Sequence, residues 1–565
     1  MKKQFTKIFI SISLAIISLT FAQQEITTVA ELERLAPLGG EYRLAAGTYE
    51  LSKPLLLTKG LTLLGAGKGK TIVTGSQQFY VISIESTEHF KFDGISFEYR
   101  GTGGSEVVQI KEASFEISNC SITGAIYSEE NDFFYGEGLY VYKNAQGIVN
   151  NCEFEGNESN AIGLENDASL DVTDSKFSNN VTAVAVFDNS KVTIKDSVFE
   201  NNGSEDGSVI YADGDSELNI ENNIFDGNLF GSFYFLGNAK VIVKGNTIKN
   251  NGEVYAAIVA TGNAELTLTE NIIKDNPLGA ISLFDKAKAV VSYNELTNNG
   301  NSEYSSIYIS DQSSLELINN NMSNDWGLWF LADSKSVVKG NIIDGSQATN
   351  IAAITITDNA NLELSKNEIR NAANWTIYAT DNSQVVLLQN TIEDNFGGVK
   401  ATANAKLRLV VNKIRNNQQF GVYLLEDSSA YISANTITNN RSGIVLLNQA
   451  RADIIANNLS ENNRTGLGVF DTASADIISN KILGNAWNGV VVDNNAKPLI
   501  SKNQIMNNIL RGILFTEQAG GQISGNTISG SKWGIHITEE AKPEIAENTF
   551  EDNEIDNFTG PLTDE

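Results

Sequence analysis

Acid–base chemistry has few places to sit in this chain. Hydrolysis of a sugar chain needs two carboxylates at a defined separation, and Glu165, Asp206 and Asp213 are the candidates. Glu165 and Asp213 stand two repeats apart, roughly 10 Å, at the far edge of the range for an inverting pair; Asp206, on the adjacent loop, comes closer. Elimination needs a strong base, and Lys400 is the only Lys or Arg that the repeat turns outward beside them. Around these sit aromatic residues whose rings suit the apolar faces of sugars: Tyr211, Tyr234, Tyr308, Trp329 and Tyr378. His89 and His536 are isolated at opposite ends, and three Met with two His make no copper site. No metal site or cofactor is expected from a motif; calcium could bind turn acids such as Asp213 and Asp215, although two acids at i and i+2 are a weak signal.

These residues are positioned by a repeat. An asparagine returns every 22 or 23 residues through much of the chain, from Asn223 and Asn246 to Asn526 and Asn548, each two residues before an apolar one. Upstream the same column reads Cys120, Cys152, Ser175 and Ser197. A fixed period of this length means one small unit stacked many times. Within Gly443 to Asn463, Ile444 and Leu446 alternate as a half-buried strand, Asn448 begins a turn, Ala452 and Ile454 alternate again, and Leu459 is the buried residue of a third strand. Three short strands per coil without a helix make an all-β chain, a single right-handed parallel β-helix of about twenty coils with an inward Asn ladder. The ladder Asn is expected at a tight turn, in left-handed backbone.

The period also counts what points outward from the first strand of each coil. Tyr140, Tyr211, Tyr234, Tyr308, Trp329, Tyr378 and Tyr423 share this face, which is poor in charge. Column spacings from Ser197 to Asn367 run 26, 23, 25, 23, 26, 21 and 26, and the extra residues fall just before that strand. The largest insertion, Tyr127 to Tyr135, occupies the same turn, so loops wall the aromatic face. Mutual stacking of aromatics up a sheet face is the alternative to a sugar-binding groove.

Residues 1–22 read as a signal peptide: a basic start at Lys2, Lys3 and Lys7, an apolar Ile8 to Phe21, and a small-residue cleavage site ending at Ala22. Residues 23–60 read as an N-terminal cap and first strands, 61–550 as the β-helix and 551–565 as a tail. Thr28 and Glu31 form a capping box for a short helix that plugs the first coil. With 69 Asp and Glu against 40 Lys and Arg, a net charge of −29, the chain repels nucleic acid and anionic surfaces. No later run is apolar enough for membrane insertion. Cys120 and Cys152 lie in neighbouring repeats of one inward column, within disulfide range for stacked strands, and more simply as two small side chains filling that column. Gly65 to Thr71, GAGKGKT, lacks the glycine spacing of a phosphate loop.

The repeat Gly-Ile-x-Leu … Ile-x-x-Asn-x-Ile-x-x-Asn, as in Gly443 to Asn462, and the opening Leu44 to Tyr49, Leu61 to Gly67 and Thr71 to Val73 resemble the pectin lyase-like superfamily. The resemblance covers nearly all of the chain after the signal peptide. It implies the β-helix fold, and a substrate groove on the face that begins with Gly-Ile. Its members include polysaccharide lyases, hydrolases and epimerases, and also non-catalytic surface proteins. The Asp-Asp and His motifs of polygalacturonases and the Asp-Pro-His motif of alginate epimerases are absent. The expectation is an exported protein, secreted, on the cell surface or periplasmic, that binds a polysaccharide or cell-surface glycan along the aromatic face, with cleavage as a hydrolase or lyase left open. A structural or adhesive rod is the alternative.

Overall fold

The computed structural model describes residues 24–130, 133–204 and 207–560. Residues 1–23, where a signal peptide is expected, Asp206 and the last five residues lie outside them. Each coil contributes one strand to each of three parallel sheets, of 22, 23 and 22 strands. The first sheet carries the outward aromatics, as in Ser442–Leu446; the second has five-residue strands such as Arg451–Ile455, and the third three-residue strands such as Asn458–Ser460. Pairing is in register from coil to coil: Ile444 lies against Leu467, Ile454 against Ile477 and Leu459 against Ile482. The alternating apolar residues therefore stack into one continuous core, with Ile444, Ile454 and Leu459 fully buried. Inside it, Phe154, Phe177, Phe199 and Phe225 stack ring on ring at 4.9, 4.6 and 4.5 Å.

The ladder asparagines point inward and are buried. The Oδ1 of Asn294 accepts both the backbone N–H of Asn271 at 2.8 Å and its Nδ2 at 2.9 Å. The Asn271 Nδ2 also donates to the Val243 carbonyl at 2.9 Å. The ladder residue itself is not left-handed. That conformation belongs to the residue before it, such as Asn222 (φ 56°), Asn319 (φ 55°) and Val411 (φ 58°). The chain turns one residue early, which leaves the Asn side chain free to face the core and bond along the stack.

A second ladder runs five residues behind the first. Asn228 N–H and Nδ2 both donate to Asn251 Oδ1, at 3.0 and 2.8 Å, and the column extends from Asn157 to Asn299 and from Asn395 to Asn508. It is interrupted by Asp325, Ser346 and Ala372.

Helix Val29–Leu35 covers the first coil, with the capping box formed between Thr28 and Glu31 and with Leu32 and Leu35 buried. At the other end the coil runs past the 550 boundary: Asp556–Thr559 pairs in parallel with Trp533–Ile537, placing Phe558 over Ile535. Cys120 and Cys152 are free thiols, both buried.

Candidate functional site

The outward row of the first sheet is half-buried, and its aromatics lean on one another. Phe187 and Tyr211 rings are 5.4 Å apart, Tyr211 and Tyr234 6.4 Å, Phe284 and Tyr308 5.7 Å, and Tyr308 and Trp329 6.3 Å. The loops before the strands rise beside them. Asn301 to Tyr304 and Thr349 to Ile351 enclose a small hollow of about 160 Å³ over Trp326 and Trp329. The Trp329 indole nitrogen is buried without a partner. Further along, the Tyr378 hydroxyl lies 3.1 Å from Thr402 Oγ1, and Lys400 places its ammonium 5.0 Å over the Tyr378 ring.

The sequence candidates for catalysis do not converge. Lys400 pairs with Tyr378, many coils from the carboxylates. Asp213 closes a turn, its Oδ1 accepting the Gly214 N–H at 2.6 Å, and Asp215 Oδ1 accepts Asn238 Nδ2 at 2.8 Å. Asp206 lies outside the described residues. Glu165 alone belongs to a cluster, and its partners are earlier in the chain than the regular repeat.

Those partners are Glu106 and Glu137. Strands Ser105–Lys111, Leu139–Tyr142 and Asn160–Glu165 are adjacent rungs of the first sheet. Gln109, Tyr140 and Gly163 form one outward column, and Lys111, Tyr142 and Glu165 the next. Glu106 near the start of the first strand and Glu137 just before the second line the space beside the hairpin Ser128–Glu130 with Phe133–Tyr135, the insertion that the sequence placed in this turn. The hairpin divides the groove into two open clefts. One, of about 550 Å³, is lined by Tyr80, Glu106, Glu137, Tyr140, Tyr142 and Glu165; the other, of about 650 Å³, runs on past Glu137 and Glu165 to Phe187 and Tyr211.

The carboxyl groups differ in environment. Glu137 is 9% exposed. Its Oε1 accepts Asn160 Nδ2 at 2.7 Å, and it lies where a side chain on residue 163 would go: a Cβ on Gly163 would stand 2.3 Å from Oε1. Burial pushes Glu137 up to about 8, against the Asn160 bond, with the charge of Glu165 adding to the rise. Glu106 is 4% exposed and is held well above the usual carboxylate range by burial and by Glu137. Its Oε2 has no partner. Tyr140 donates to Glu165 Oε2 at 2.7 Å, and burial followed by the Glu165 charge holds its phenol protonated. Tyr142 is pushed up to about 12, chiefly by burial. The cleft thus sets Glu137, whose burial keeps its proton at neutral pH, beside Glu165, which the Tyr140 hydroxyl anchors, and acid–base chemistry draws on two such unlike carboxyls.

Glu106 and Glu137 escaped the sequence reading because they precede the part of each strand that the period defines. For Glu106, a carboxylate directly before the apolar pair Val107 and Val108 was the available signal. Among the described residues, no group of three or more His, Cys, Asp or Glu is arranged to hold a metal ion. A larger shallow trough of about 780 Å³ lies along the second sheet, but its charges pair with each other, as in Lys191 with Glu217 at 2.8 Å.

Comparison with known proteins bears on the fold. The family model of the right-handed β-helix region matches residues 72–208, 106–263, 203–341, 256–414, 397–513 and 468–560. The chain belongs to the right-handed β-helix family. No curated protein matches it in sequence. Solved structures similar to this β-helix protein include a periplasmic alginate epimerase, at 13% identity over 56% of this chain and 78% of that one, TM-score 0.37. Another is a PL6 alginate lyase in complex with a trisaccharide, at 13% identity over 65% and 85%, TM-score 0.38. A third is the catalytic unit of a GH87 α-1,3-glucanase from Streptomyces thermodiastaticus, at 14% over 61% and 66%, TM-score 0.38. Likenesses this remote carry no argument about what the chain binds. No helix among the described residues is long and apolar enough to cross a membrane.

Proposed function

We propose that this β-helix protein is exported and binds a polysaccharide along the outer face of its first sheet. The observation that carries the reading is the half-buried aromatic row that runs from the hairpin clefts past Tyr211, Tyr234, Tyr308 and Trp329, walled by the loops before the strands. Aromatic rings beside hydroxyls and amides give a sugar chain both apolar stacking and hydrogen-bond partners. The unpartnered Trp329 indole N–H supplies one such donor. Export rests on the signal-like residues 1–22.

One observation favours a second reading, a rod without a ligand: the Tyr211 and Tyr234 rings are nearly parallel, with 7° between their planes, so the column stabilises itself. A retention screen separates the two. The purified protein is passed over immobilised neutral and acidic polysaccharides, and retention is scored against the free matrix. Selective retention on one class is expected. Passage through all of them leaves the rod.

A further inference from the structure

We propose that the clefts under the hairpin form a hydrolytic centre, with Glu137 as proton donor and Glu165 as base, acting on a glycosidic bond of the polysaccharide held along the aromatic face. This rests on the polysaccharide reading above and adds a reaction to it.

Three features of the structure support it. First, the two carboxyls face the same open space from different environments. Glu137 is enclosed by the strand ends and bonded to Asn160, while Glu165 is anchored by the Tyr140 hydroxyl. A proton therefore stays on the first at neutral pH, as its position near 8 indicates. Second, Gly163 makes room for the donor, since any Cβ there would overlap the Glu137 carboxyl. Gly163 and Glu165 project from the same face two residues apart, roughly 7 Å along a strand. Because the Glu137 carboxyl occupies the space of a side chain on residue 163, it lies beside the Glu165 side chain on one face, and the Glu165 charge acts on it. Third, the Oε2 of Glu106, buried among groups that line the same cleft, has no partner. A buried polar atom of this kind is satisfied by what enters the cleft, a sugar hydroxyl or a water.

The step balances as follows. Glu137 transfers its proton to the glycosidic oxygen as the bond from that oxygen to the anomeric carbon breaks. A water oxygen bonds to the anomeric carbon from the opposite side, and its proton passes to Glu165. One water is consumed, one new reducing end and one new hydroxyl appear, and the anomeric configuration inverts. Solvent then returns a proton from Glu165 to Glu137. Tyr140 is a positioning residue: its hydroxyl fixes Glu165 without touching the reacting atoms.

The test uses the full-length protein with a polysaccharide that it retains, and measures binding and product separately. New reducing ends of inverted configuration, without unsaturated sugars, are expected, with the rate falling as pH rises through about 8. Glu137→Gln, which keeps the shape of the protonated acid, is expected to bind the polysaccharide as the wild type does and to lose at least about a hundredfold in rate. Glu165→Gln should do the same, and circular dichroism confirms that both are folded. Retention without any new ends, unsaturated products, or Glu137→Gln cleaving at the wild-type rate would each overturn the proposal while leaving the binding reading intact. Failure of the wild type to retain any polysaccharide overturns the binding reading, and this proposal with it.

Discussion

Asp325 gives the most quantitative handle on the fold. It stands where the second ladder would place an asparagine. Its Oδ1 accepts the backbone N–H of Asn299 at 2.8 Å and its Nδ2 at 3.0 Å, while Oδ2 is buried. Burial lifts its pKa from 3.8 to about 7, against the two Asn299 bonds and the nearby Ser306 hydroxyl. In the unfolded chain the same carboxyl titrates near 3.8. Between those values the folded state holds a proton that the unfolded state has lost. Stability therefore falls as pH rises through that window, by about 1.4 kcal/mol per unit, and levels off above 7 where both states are charged. The whole window spans about 3 units, or about 4 kcal/mol. Asp325→Asn removes the titration and restores a side chain that can donate to a neighbouring carbonyl, as the other ladder amides do. Urea unfolding of both proteins, followed by tryptophan fluorescence from pH 5 to pH 8, reads the difference. Glu106 and Glu137 titrate alike in the two proteins and cancel. The advantage of Asp325→Asn should widen by about 3 kcal/mol between pH 5 and 7 and then stay constant. A gap that does not change with pH, or a variant less stable than wild type at pH 8, would refute the reasoning.

Asn294→Ala removes the oxygen that serves both Asn271 donors and the amide that bonds Leu268 and Ser292 carbonyls, each at 3.0 Å. It should cost on the order of 3 kcal/mol, read as a lower urea midpoint. Val411 holds a β-branched side chain in left-handed backbone at φ 58°. Val411→Asn should raise the midpoint by about 1 kcal/mol, because asparagine tolerates that conformation. Cys120 and Cys152 are free and buried. A thiol reagent should find neither in the native protein and both after denaturation; a denatured chain without reactive thiols would mean a disulfide.

The coil was legible because a period of 22 or 23 residues leaves little choice of unit, and because inward residues alternate within every strand. The aromatic row followed from the same ruler, since Tyr211, Tyr234, Tyr308 and Trp329 occupy one register position, as two adjacent pairs separated by the coils of Val259 and Ser282. The second ladder was equally periodic, five residues behind the first, and its asparagines were visible at Asn462 and Asn485. What the ruler could not reach is the cleft. Glu106 starts an irregular early strand and Glu137 sits in the turn before the next one, where coils of unequal length shift the register. Their burial depends on how the insertion and the neighbouring rungs pack, which the period does not encode. Glu165 was found because it sits on the strand; its relation to Glu137 needed Gly163, whose missing side chain is meaningful only once the neighbouring rung is known.

The central claim is that the aromatic row of the first sheet holds a sugar chain. The most direct test is equilibrium binding of a retained polysaccharide to three proteins: the wild type, a combined Tyr234→Ala, Tyr308→Ala and Trp329→Ala variant, and a Tyr431→Ala control. Tyr431 is also an exposed tyrosine, but it lies on the second sheet under Arg408. The combined variant should lose on the order of a hundredfold in affinity while the control binds as the wild type does. Equal affinity in all three, or an equal loss in the control, would contradict the claim.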